Sequence, residues 1–172
     1  MDNKYKDMIW LQFGAAIDTL ENTIAACPEE HWSSDDKSDW RWDVWYWSYH
    51  TLFWLDYYLN ESPDTYTPTA PFTMSEMAPE GGYPPRVYTK HELLDYAEHG
   101  RQKCRERIAA MTEEEMHSPS PYSRRGLTVG EMLLYNMRHV QHHAAQVNIY
   151  LKQKTGSATE WVGRTKTPLI DE

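Results

Sequence analysis

The sequence predicts an all-α fold, a four-helix bundle, and three observations carry that expectation. Apolar residues recur at steps of three and four through long segments of the chain. Two capping boxes, Thr89 with Glu92 and Thr128 with Glu131, stand where two of those segments begin. The prolines collect in the connections, six of the ten lying between Glu61 and Tyr88. A chain of 172 residues is long enough for one domain with a substantial core, and residues 1–172 are read as that domain.

The first helix is expected over residues 5–27, where Ile9, Phe13, Ile17, Leu20, Ile24 and Cys27 form one stripe and Pro28 ends it. The second is expected over 39–60, capped by Ser38 or Asp39. Ten of its nineteen residues from Trp40 to Tyr58 are aromatic. Apolar on all sides, it belongs at the centre of the bundle or in a contact with a partner. The Pro-rich segment that follows, with Gly81 and Gly82, cannot continue a helix. A connection this long reads as a lid or a crossover, and it would let the second and third helices run parallel.

The third helix is expected over 89–111, with a stripe of Leu93, Ala97, Gly100, Cys104, Ile108 and Met111. Residues 112–126 read as a solvated connection. The last helix is expected over 128–155: no proline interrupts it, Lys152 and Lys154 suit its negative end, and Gly156 suits a left-handed cap. The extended tail, residues 157–172, has no periodic pattern, and Trp161 is expected to dock it on the bundle.

Seventeen basic against 26 acidic side chains give a net charge of −9. An acidic chain repels phosphate backbones and anionic lipid, which argues against nucleic-acid and membrane-surface partners. There is no run of about 18 apolar residues and no signal-peptide core near the N-terminus, so a cytoplasmic protein is expected. The two cysteines, Cys27 and Cys104, fall on apolar helix faces and read as small buried hydrophobes.

The candidate chemistry lies in the histidines. His139 and His143 stand four residues apart on the last helix, one above the other, the spacing by which one helix offers two imidazoles to one metal ion. Packing is the plainer reading of such a pair, and Val140 stands where a zincin would carry its glutamate base. His142 points elsewhere on the same helix. On the second helix His50 sits among Asp43, Tyr46, Trp47, Phe53, Trp54 and Tyr57. It reads either as a core histidine bonded to a tyrosine hydroxyl or to Asp43, or as a third metal ligand. His142, Gln146 and Asp43 are candidates for supporting roles around such ligands, and His99 is a reserve candidate. His31, His91 and His117 read as connection or exposed residues.

Trp47-Ser-Tyr-His50, followed by Arg138-His139-Val-Gln-His142-His143-Ala-Ala-Gln146 and Tyr150-Leu151, resembles the DinB-like (YfiT-like) four-helix bundles. Members of that family carry a His-x-x-His-His-x-Gly-Gln pattern, with Ala145 here in place of the glycine. The resemblance spans nearly the whole chain. It implies an up-down-down-up topology and metal ligation by His50, His139 and His143, with water or substrate completing the site. It also implies a divalent ion, zinc or nickel above others, and a homodimer. Related families transfer or isomerise through low-molecular-weight thiols such as bacillithiol, mycothiol or glutathione, and others are called metal-dependent hydrolases. The expected function is therefore thiol S-transfer or hydrolysis of a small molecule at a three-histidine site, against the alternative of a binding or interaction module whose site is structural or vestigial. A carboxylate-bridged di-iron site is disfavoured, since neither Glu21 nor Glu98 precedes a histidine by three. No phosphate-binding glycine loop or haem-attachment motif is present.

Overall fold

Apolar stripes set the first, third and last of the long helices, while the second is apolar on all sides. The computed structural model describes residues 2–34, 43–79, 83–122 and 126–170. Among them are five α-helices: α1 (Asn3–Ala26), α2 (Val44–Leu59), α3 (Lys90–Ala110), α4 (Glu113–His117) and α5 (Val129–Thr155). Three 3-10 turns lie between them, and the described residues form no strand. The fold is all-α, as the periodicity predicts.

The side chain of Asp2 accepts from the Lys4 amide to open α1, and Cys27 is extended before Pro28, which closes it. Both predicted capping boxes form, Thr89 with Glu92 on α3 and Thr128 with Glu131 on α5. Gly156 takes φ 77°, the left-handed conformation that only glycine adopts without strain, and its amide returns to the Lys152 carbonyl.

Two helices differ from expectation. The predicted cap of the second helix, Ser38 or Asp39, lies outside the described residues, and the described helix begins at Val44 after an extended Asp43. Asp43 ties the incoming chain instead: its carboxylate accepts from the Ser34 amide at 3.0 Å and the Trp45 indole at 3.2 Å. The connection after α3 holds the short helix α4. Thr112 caps it through the Glu115 amide, three glutamates occupy its positive end, and Arg107 pairs with Glu115 at 2.5 Å.

Both α1 and α2 pack on α3 and α5, and α4 rests on α5. The chain's own long connection covers the aromatic flank of α2. Phe72 stacks on Tyr96 with centroids 4.0 Å apart, and the Tyr66 hydroxyl donates to the buried Asp56. Tyr88 is fully buried against Trp45 and Tyr49. Asp56 also accepts from Tyr96 and Lys103, so its buried charge is paired. Buried Arg101 is held by Asp18, Glu21 and Glu98, which accounts for the carboxylates that a di-iron bundle would need.

Trp161 does not dock the tail, being 79 % exposed. The tail is seated by hydrogen bonds to its backbone and by other side chains. The Thr165 amide donates to the Leu11 carbonyl, the Trp10 indole donates to the Thr167 carbonyl, and Leu169 is buried. Thr165 approaches α1 at Gly14, where a Cβ would lie 2.5 Å from its methyl carbon. The variant Gly14→Ala is therefore expected to displace the tail. Urea denaturation should show a loss of about 1–3 kcal/mol, the range for overpacking, and limited proteolysis should cut faster beyond Ser157. Unchanged stability and cleavage would disprove the seat.

Candidate metal centre

The rotation of α5 is fixed by what it buries. Val140, Ala144, Val147 and Leu151 face the core, and buried Asn136 donates to the Leu55 carbonyl of α2 at 3.0 Å. That bond ties α5 to α2 in register, since a buried Nδ2 donor left unpaired there would be costly. One step around from the core stripe, His139 and His143 lie half-buried on the margin that faces α2. Directly opposite stands His50, whose side chain is 28 % exposed.

The three rings converge. Ring centroids lie 5.4 Å apart for His50 and His139, 4.9 Å for His50 and His143, and 4.5 Å for His139 and His143. One ligand atom from each falls within 4.8 Å of the other two. Neither bland reading of His50, a tyrosine hydroxyl or Asp43 as partner, describes its main contact. Its Nδ1 lies 2.7 Å from Oε2 of Glu76, in the 3-10 turn Met74–Met77 of the long connection. With Nδ1 so engaged, Nε2 is the atom left to face the cluster.

Electrostatics keeps the other two rings uncharged. Burial, together with the neighbouring imidazoles, pushes His139 down to about 3. The same causes push His143 down to about 4, against an opposing pull from Gln146 and Glu76. The Nδ1 atoms of both rings are buried and lack a hydrogen-bond partner. Neutral imidazoles can offer a nitrogen lone pair, and such a donor set fits a divalent transition ion. Burial raises the Glu76 carboxyl, but bonds from His50, Tyr46 and Trp54 outweigh it and hold the group below its usual range.

The other expected residues scatter around this centre. Gln146 lies beside His143, its Oε1 buried and unpartnered. His142 is exposed, its ring 5.1 Å from that of His143. Asp43 serves the start of α2. His99 stands on α3 with Nε2 3.6 Å from Asp56, and exposed His91 faces Asp95 within its own helix. Glu76 was not among the expected residues. It follows His50 by 26 residues inside a Pro-rich segment, and no periodicity links the two.

An apolar slot of about 250 Å³ opens between α2 and α5, lined by Val44, Trp47, Gln146, Val147, Ile149 and Tyr150. Trp47 joins it to the centre, its ring edge-on to His143 at 5.7 Å.

Residues 12–147 match the sequence profile of the DinB superfamily, and the chain belongs to that superfamily. No curated protein and no solved structure matches it.

Depressed imidazoles make the stability of the metal-free protein depend on pH. Unfolded histidine takes up its proton near 6.5, while folded His139 and His143 resist protonation down to about 3 and 4. Below pH 6.5 the unfolded chain therefore binds more protons, and stability falls with pH by at most about 1.4 kcal/mol per unit and ring. Urea midpoints measured in chelator from pH 7 to 4.5 should fall more steeply for wild type than for the His139→Gln/His143→Gln double variant. Equal slopes would show that the rings titrate normally.

Proposed function

We propose that the chain is a metal-dependent enzyme acting on a small molecule, with His50, His139 and His143 holding one divalent ion and a coordination position left for substrate. The observation that carries this reading is the convergence of three imidazoles without a fourth clustered ligand among the described residues. Structural metal sites are usually closed by four protein ligands, whereas catalytic sites keep one position open. Zinc or nickel suits imidazole donors. Such an ion, when bound, supplies an electrophilic centre that acidifies a coordinated water or thiol.

The chemistry we favour is thiol S-transfer, with hydrolysis as its neighbour. Burial pushes the Cys27 thiol up to about 11 and Cys104 well above its ordinary value, so neither offers a thiolate. A thiol used here would come from a low-molecular-weight cofactor. The slot beside Trp47 would take the apolar part of the electrophile, with Gln146 in its wall.

Contacts between helices support the up-down-down-up topology. Lys6 meets Ala109 and Arg101 meets Asp18, as antiparallel α1 and α3 require. Trp45 with Tyr88, then Asp56 with Lys103, fit α2 parallel to α3. Leu55 with Asn136 and Trp47 with His143 fit α5 antiparallel to α2. The reading also includes a cytoplasmic homodimer that does not act on nucleic acid. No described helix is long and apolar enough to cross a membrane. Exposed Tyr5, Met8 and Leu134 offer apolar surface for a second copy.

Elemental analysis of untagged protein tests the reading, with His50→Ala and His139→Ala beside wild type. About one equivalent of a divalent metal is expected in wild type. Both variants should lose it while keeping their helical circular dichroism. Wild type that stays metal-free after reconstitution at neutral pH would overturn the proposal and leave an interaction module.

A further inference from the structure

We infer that Glu76 is a positioning residue for His50, and that the long connection between α2 and α3 exists in part to deliver it. The inference rests on the metal-site reading above.

The delivery is built from α2 itself. The hydroxyl of Tyr49, the residue before His50, donates to the Thr73 carbonyl at 2.9 Å and lies 3.0 Å from Ser75 Oγ. Glu76 is the next residue, and its Oε2 takes both His50 Nδ1 at 2.7 Å and the Trp54 indole at 3.1 Å. Three residues of one helix thus hold one turn of the connection.

The carboxylate is only 5 % exposed. Withdrawing a carboxylate from water is costly unless it is paired, and a residue in a surface connection could readily have pointed outward. Its burial here has a chemical use. An imidazole that gives its Nδ1 proton to a carboxylate presents the Nε2 lone pair, in a fixed ring orientation and with raised basicity. For His50 that lone pair faces His139 and His143. The second oxygen of Glu76, Oε1, is buried without a hydrogen-bond partner.

Zinc affinity, measured on full-length protein by competition with a chromophoric chelator, tests the inference in a four-way cycle. Glu76→Gln should bind zinc about 10–100-fold more weakly than wild type, the usual cost of losing such an outer partner. In a His50→Ala background, which should no longer retain metal through purification but can be titrated at zinc concentrations high enough to load His139 and His143, the same substitution should change affinity by less than about two-fold, because a residue acting through His50 has nothing left to act on. Equal losses in both backgrounds would overturn the inference, as would an unaltered Glu76→Gln. Wild type that fails to bind zinc would instead overturn the metal reading itself. A second measurement needs no variant: imidazole nitrogen shifts of the metal-free protein at pH 8 should show His50 protonated on Nδ1. Protonation on Nε2 would refute the assignment.

Discussion

Burial of α2 is the constraint from which the surroundings of the candidate centre follow. A helix with aromatic side chains on every side cannot turn one face to water, as its neighbours α1 and α3 do. Contact with α3 and α5 covers two flanks, and the chain between Leu59 and Lys90 covers another with Tyr66, Phe72 and Tyr88. That covering segment is long because it must wrap, and prolines suit it because it must not become a helix. Once it lies along α2, its polar groups need partners. Tyr49, His50 and Trp54 supply them, and a packing requirement thereby brings a carboxylate to an imidazole.

The bundle handles its buried polar groups in two ways. Asp56 and Arg101 keep their charges and surround them with opposite charges and hydroxyls, so neither has capacity left for a ligand. His139 and His143 are half-buried and uncharged, and their Nδ1 atoms have no hydrogen-bond partner. Neutral rings cost less to desolvate than ions, but lone pairs left idle still forfeit hydrogen bonds that water would have made. The contrast separates a network that closes on itself from a cluster whose Nδ1 atoms find no partner in the fold.

Much of this was legible in the sequence because it is local. Capping boxes, the left-handed glycine and the apolar stripes all involve residues within a few positions of one another. The i, i+4 relation of His139 and His143 follows from helix geometry alone. His50 became legible only through the motif around it, since residues on separate helices share no period. Glu76 was invisible for a stronger reason. Its partner is fixed by the path of an irregular connection, which no repeat encodes. Trp161 misled for the opposite cause: a large apolar side chain suggests burial, yet the tail is seated by Thr165 against a missing side chain on α1.

The two cysteines, described above only as poor thiolates, also make the molecule a recorder of its own opening. Cys27 closes the stripe of α1, and Cys104 stands on the core face of α3. Neither meets solvent in the folded chain. A thiol reagent added to the native protein must wait for the surrounding helices to separate, so its rate of attachment measures how often they do. For a protein proposed to handle electrophiles, the same burial is a safeguard: the reagents it processes find no sulfur of its own to modify until the fold gives way.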